Sequence, residues 1–140
     1  MVYKIFLDIN ILIDFLDSKR LHHQDAVQLI TKAEAGSCDV FVTESVLNTT
    51  AYLVRKDYDA IAIKPVFKGL LAFTEIIPVD NFIYQLGIQK SVTDLEDAVL
   101  YAAASHARLD YFMTNDLKDF NKLANLSLPI LQANQFLKLV

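Results

Sequence analysis

Asp8 interrupts an apolar run. In "KIFLDINILIDFL" the carboxylate follows residues of buried-strand type, and Asn10 stands two places on before the chain turns apolar again. Burying a carboxylate is costly unless a partner or a function requires it. Asp97 in "DLEDAVLYAAASHAR" and Asp116 in "YFMTND" have comparable surroundings. In open α/β sheets, ligands bind beyond the carboxyl ends of the strands, so acids gathered on that edge are candidates for chemistry.

Asp8 directly follows the first β-type run, and Asp116 follows the fourth after a two-residue step. Asp97 reaches the same edge by connectivity. Its helix joins the fourth strand through only "RLD", so helix and strand run antiparallel and the helix start lies near the strand end. Two unit charges about 4 Å apart repel by about 4 kcal/mol at an effective dielectric near 20. Three converging carboxylates therefore call for a cation. Mg²⁺ or Mn²⁺, typically bound through one or two carboxylates plus waters and substrate phosphate, fits oxygen donors of this kind. Such an ion activates water and offsets charge developing in phosphodiester cleavage. The helix N-terminus would favour ionised Asp97.

The elements that must position these acids alternate. Short β-rich runs at 3–7, 39–43, 74–79, 111–114 and 128–131 are separated by helical patterns at 10–17, 22–35, 45–56, 59–73, 80–90 and 94–108, with a short one at 133–138. This alternation predicts a parallel sheet with helices on both faces. Ala98, Ala102, Ala103, Ala104 and Ser105 make 94–108 the most buried helix, and Thr93 with Glu96 forms a capping-box pattern at its start. Asn10 reads alternatively as an N-cap and Asp116 as a turn former. Asp14 and Asp17 read as solvated-face charges. His22 and His23 lack partners at zinc spacing and read as surface residues. His106 reads as a core or C-terminal helix residue, and the Tyr and Phe residues as core.

The chain has 140 residues, 54% of them hydrophobic, with three Gly and three Pro. These values predict one domain over 1–140 without a disordered tail. The formal net charge of −4 argues against broad electrostatic binding of nucleic acid and leaves any phosphate ligand dependent on local help. Apolar runs fall far short of the roughly 20 residues that span a bilayer, and the N-terminus lacks signal-peptide features. A cytoplasmic location is expected. The single cysteine, Cys38, cannot form an internal disulfide and reads as a packing residue.

Taken in order, "FLDINILIDFL", "DLEDAVLYAAASHARLDYFMTNDLKDF" and "LPILQANQFL" resemble the PIN domain, the fold of VapC-type toxin ribonucleases, over nearly the whole chain. The resemblance implies a three-layer α/β/α sandwich around a central parallel sheet of about five strands. It further implies divalent-metal-dependent hydrolysis of single-stranded RNA, with Mg²⁺ or Mn²⁺ as cofactor. It maps the family's first, third and fourth acids onto Asp8, Asp97 and Asp116, its D-x-N polar residue onto Asn10, and the Ser or Thr beside the last acid onto Thr114. Asp119 in "LKDF" belongs to the same loop and is a weaker candidate.

The second motif departs from the pattern. The family usually carries a Glu about six residues beyond the Ser or Thr that ends the second strand; here that count from Thr43 reaches Thr49, beside Asn48. Glu44 stands five residues too early. Asp94, Asn48 or Glu44 would then assist the remaining acids, and "NTTAYLVRK" resembles a branch of the family in which this position is polar but uncharged. Arg55, Lys56 and Lys118 are candidate phosphate contacts. The resemblance also implies a homodimer and, for a toxin, a small antitoxin whose basic side chain pairs with the acidic edge.

The altered motif supports an alternative, a catalytically weak or inactive PIN-like module that binds RNA or a protein partner. Aspartyl phosphatases of the haloacid-dehalogenase type also begin with an apolar strand and an Asp, but they expect a second Asp where this chain has Asn10. A phosphorylated receiver domain is disfavoured because paired acids before the first helix are absent.

Overall fold

A computed structural model describes residues 2–91, 94–120, 122–125 and 127–140. Five parallel strands, β1 (Tyr3–Leu7), β2 (Cys38–Val42), β3 (Thr74–Ile76), β4 (Tyr111–Met113) and β5 (Ile130–Leu131), lie in the order β3-β2-β1-β4-β5. Between and after them run α1 (Ile9–Leu16), α2 (His23–Glu34), α3 (Glu44–Leu53), α4 (Ala60–Leu71), α5 (Asn81–Ile88), α6 (Leu95–His106), α7 (Leu117–Phe120) and α8 (Ala133–Leu137). Right-handed crossovers put the helices that follow β1 and β2 on one face and those that follow β3 on the other. The packing agrees: α1, α2 and α8 form one group, while α5 lies along α6. The expected α/β sandwich with five parallel strands is thus the observed fold.

The chain winds from β1 outward to β3, then returns across the sheet to β4. The order therefore reverses between β1 and β4, the place where an open α/β sheet leaves a crevice at its carboxyl edge. Leu7 pairs with Met113, and the Asp8 amide continues the ladder by donating to the Met113 carbonyl at 3.0 Å. The segments carrying Asp8 and Thr114–Asp116 leave the sheet side by side at this reversal.

The core explains why the edges of this scaffold hold still. Phe6 stacks on Phe112 across β1 and β4 at 5.1 Å between ring centroids, and Phe112 packs on Phe120 of α7 at 4.7 Å. Buried Tyr101 donates its hydroxyl to the Leu128 carbonyl at 2.6 Å and accepts from the Asn125 amide at 3.1 Å, tethering the stretch before β5. Residues Ala98 through Ala104 are all buried, so α6 is the most enclosed helix, as its small side chains predict. Cys38 is buried, and burial pushes its thiol up to about 11, which suits a packing role.

Several boundaries differ from the sequence reading, each for a physical reason. β3 stops at Ile76, and Ile77 makes one last bond to the Val42 carbonyl before Pro78, which has no amide to offer the ladder. β5 shrinks to Ile130–Leu131 because Asn125 and Leu128 form a local bridge ahead of Pro129. The one-turn α7 is not expected from sequence, since four residues carry no readable period; Asp119 therefore lies in a helix and not in a loop. Thr93 lies outside the described residues, and the observed N-cap of α6 is Asp94, whose carboxylate accepts from the Asp97 amide at 3.0 Å. The short return to β4 is made by Arg108 at φ 57, a left-handed residue that reverses the chain after Ala107. Among the described residues no helix is long and apolar enough to cross a membrane.

Two substitutions test this packing. A methyl at Gly87 of α5 would sit 2.6 Å from Val99 Cγ2 and 2.9 Å from its Cα, so Gly87→Ala is expected to cost about 1–3 kcal/mol by overpacking, read from the shift in denaturant midpoint. Buried Thr50 on α3 has no hydrogen-bond partner for its hydroxyl. Thr50→Val removes that orphan and should stabilise by about 1 kcal/mol in the same measurement.

Candidate functional site

At the reversal point Asp8 is 3% exposed and serves as N-cap residue of α1 without a side-chain capping bond. The carboxylate is turned to other partners. Its Oδ2 accepts from Asn10 Nδ2 at 2.7 Å and from Thr114 Oγ1 at 3.0 Å. Asn10 Nδ2 also donates to Thr114 Oγ1 at 2.8 Å, and the Asp116 amide donates to that hydroxyl at 3.1 Å. One carboxylate oxygen, one amide and one hydroxyl thus close a triangle that ties α1 to the segment after β4. Asn10 is the second residue of α1, which corrects its reading as the N-cap; its amide serves the site.

Burial raises the Asp8 carboxyl from 3.8 to about 6, and the charges of Asp116 and Glu96 push it the same way; the Ile9 amide and the Thr114 hydroxyl pull it down. Desolvation wins because the side chain is almost fully enclosed. Glu96, in the first turn of α6, is itself raised by partial burial and then by Asp94. Sequence reasoning gives Glu96 only a capping role and so misses its action on Asp8. The signal for it is its place beside Asp97 in "LED".

The other predicted residues are placed as follows. Asp97 is half-buried in the first turn of α6, and Asp116 is exposed after β4. Asp94 is committed to the helix cap. Glu44 and Asn48 are exposed on α3 and line a cleft of about 370 Å³ with Ser45 and Tyr84. Glu96 borders an adjoining cleft that also includes Ser45 and Tyr84. Thr49 is half-buried, and the Asp119 side chain lies outside the described residues. Arg55, Lys56 and Lys118 are exposed, and the Arg55 guanidinium sits 3.9 Å over the Tyr52 ring.

Several surface readings are corrected, since Asp17, His22 and His23 are half-buried and Asp14 is buried. Asp14 is 2% exposed and forms an ion pair with Arg20, while its Oδ2 accepts from Asn115 Nδ2 at 2.7 Å. His23 is half-buried with Nδ1 2.8 Å from the Asp14 carbonyl. The reason lies in α1, which is apolar on both sides of Asp14, so that sequence alone offers solvent as the default place for its charge. His106 ends α6, exposed, with its ring against Phe82.

The donor set can be tested against a divalent ion. Among the described residues no group of three or more His, Cys, Asp or Glu side chains is arranged to hold a metal. A hard cation needs fewer protein ligands than that, since Mg²⁺ commonly keeps several waters and uses one or two carboxylates. A buried carboxylate whose charge is opposed by burial and by two neighbouring acids is an environment that a cation relieves. The residues present therefore fit such an ion, with Asp8 as its innermost candidate ligand.

Comparison with known proteins gives the family of the fold. The PIN domain family model matches residues 4–118. Ribonuclease VapC1 of Aquifex aeolicus (strain VF5) is 31% identical over 118 residues, covering 81% of this chain and 81% of that protein. A toxin-antitoxin complex from Klebsiella pneumoniae contains a chain of the same fold, with a TM-score of 0.64 and 23% identity over 88% of this chain and 93% of that one. Mycobacterium tuberculosis VapC20, a sarcin-ricin loop cleaving toxin, superposes with a TM-score of 0.62 at 16% identity over 77% of this chain and 86% of that one. On the extent of the family match and of the VapC1 relationship, the chain belongs to the PIN domain family.

Proposed function

We propose that this chain is a VapC-type toxin ribonuclease of the cytoplasm that hydrolyses phosphodiester bonds of single-stranded RNA with Mg²⁺ or Mn²⁺. The observation that carries the reading is the buried Asp8 carboxylate at the β1/β4 reversal, held by Asn10 and Thr114 and opposed by the charges of Asp116 and Glu96. The ribonuclease relative supports the substrate class. Asp8 and Asp97 would hold the ion, with waters filling its remaining positions, and Asp116 would complete the shell through such a water or orient it for attack. When bound, such an ion supplies an activated water and offsets charge on the phosphodiester.

The chain's own groups do the positioning. Asn10 and Thr114 fix the direction of Asp8 Oδ2 by donating to the same oxygen. Thr114 also holds the Asp116 amide and so sets where the following acid starts. Asp94 caps the turn that bears Asp97. The reading includes a small antitoxin covering the acidic edge, in keeping with the toxin-antitoxin neighbour, and a homodimer by analogy with the family.

A second reading, a weak or inactive module that binds RNA or a protein, is favoured by one observation: α3 presents Asn48, Thr49 and Thr50 where the family usually has a Glu. Metal separates the two. Under the leading reading, Mn²⁺ at a hundred times its dissociation constant stabilises the protein by about 2.7 kcal/mol, seen as a rise in melting temperature; no rise supports the inactive module.

Asp8→Asn should abolish metal-dependent cleavage of a single-stranded oligoribonucleotide, and cleavage at the wild-type rate would remove Asp8 from the mechanism. The same variant has an opposite effect on stability. Because the folded carboxyl is raised from 3.8 to about 6, the folded state binds more protons than the unfolded state across that window. Metal-free stability accordingly falls as pH rises from about 4 to about 6 and is level above it. At about 1.4 kcal/mol per unit, Asp8→Asn should be more stable than the metal-free parent by up to about 3 kcal/mol at pH 7.5. Denaturant titrations at pH 7.5 and pH 4 should show this advantage disappearing at the lower pH.

A further inference from the structure

Asp14 and Asn115 have no part in the mechanism above, yet they join it by hydrogen bonds. Asn115 uses every polar group it has. Its backbone amide donates to Asn10 Oδ1 at 2.9 Å, Nδ2 donates to Asp14 Oδ2 at 2.7 Å, Oδ1 accepts from the Ala133 amide at 3.1 Å, and its carbonyl accepts from Gln132 Nε2 at 3.4 Å. The side chain must donate toward α1 and accept from the start of α8, which an amide does and a carboxylate does not. Asp14 in turn has Oδ2 on Asn115 and Oδ1 on Arg20, whose side chain is 43% exposed and lines a groove of about 620 Å³ beside Tyr58 and Leu53.

The consequence falls on Asn10. With its Oδ1 occupied by the Asn115 amide, the only orientation left to it sends Nδ2 toward Asp8 Oδ2 and Thr114 Oγ1. If the loop after β4 shifted, Asn10 could turn over and set an oxygen against the carboxylate. We propose that Asp14 and Asn115, anchored by Arg20, are positioning residues that lock the loop after β4 onto α1, hold the Asn10 amide in register and so keep Asp8 aimed for a divalent cation. The inference rests on the reading of Asp8 as a cation ligand and adds the groups that hold it there. Outer groups of this kind typically change metal affinity about 10–100-fold when removed.

The test is Mn²⁺ calorimetry on wild type, Asn115→Ala and the exchange Asp14→Asn with Asn115→Asp, beside metal-free melting curves and RNA cleavage. Asn115→Ala leaves the charge unchanged and is expected to bind Mn²⁺ about 10–100-fold more weakly at a temperature where it is fully folded. The exchange also preserves net charge and reverses the direction of the bond, the amide now on α1 donating to the carboxylate now on the loop across the same gap, so its affinity should return toward wild type. Should Asn115→Ala not fold, Asp14→Ala removes the link between Arg20 and Asn115 and carries the same expectation. A lower melting temperature with wild-type Mn²⁺ affinity would overturn the proposal by assigning these residues to structure alone. A wild-type protein that neither binds Mn²⁺ nor cleaves RNA would instead bring down the reading of Asp8, and the proposal with it.

Discussion

The burial of one carboxylate organises this end of the molecule. Asp8 is placed where water is nearly excluded, and its charge is opposed by desolvation and by Asp116 and Glu96. A buried group of this kind is hydrogen-bonded and is either paired with an opposite charge or driven toward its neutral form. The hydrogen bonds come from Asn10 and Thr114, and under the proposed function the opposite charge would be that of a bound divalent cation. Under that reading, stability and function pull in opposite directions at this residue, as is common where reactive groups are held away from their preferred surroundings.

The rest of the fold can be understood as what keeps that arrangement from relaxing. β1 and β4 are adjacent only because the chain reverses its course across the sheet, and the Phe6, Phe112 and Phe120 rings fill the space beneath both strand ends. The packed interior resists small displacements, so the separation of Asp8 from Thr114 is set by a rigid base. On the same face, where Tyr101 of α6 packs on Phe112 at 5.5 Å between ring centroids, the close approach of α5 and α6 at Gly87 and Val99 fixes the helix that carries Glu96 and Asp97. The polar groups above this base are linked from α1 to the start of α8 through Asn115. Three segments far apart in sequence are thereby joined at one edge.

The altered second motif fits the same picture. α3 places Glu44 and Asn48 on a cleft with Tyr84, while Glu96 borders the adjoining cleft and its charge acts on Asp8. Glu96, in the first turn of α6, is an acid whose charge reaches Asp8. Asp94 beside it is occupied as a helix cap.

Much of this was legible from residue order because periodicity, strand-end position and short connections are local properties of a chain. The alternation of short β-rich runs with helices determined the fold class, the "RLD" link determined that α6 starts at the carboxyl edge, and the interruption at Asp8 marked the site. The environment of a charge is not local. Asp14 in an apolar helix and Asp17 a turn later look alike in sequence, yet Asp14 is buried against Arg20 and Asn115, while Asp17 sits half-buried at the helix end and accepts from the Lys19 amide. Tertiary structure alone decided that difference, as it decided the strand order that sets Asp8 beside Thr114 and the side-chain direction that makes Asn10 a partner of Asp8 in place of a helix cap. Each depends on which distant segment supplies the complementary hydrogen-bonding group, and that is fixed only when the strands have paired.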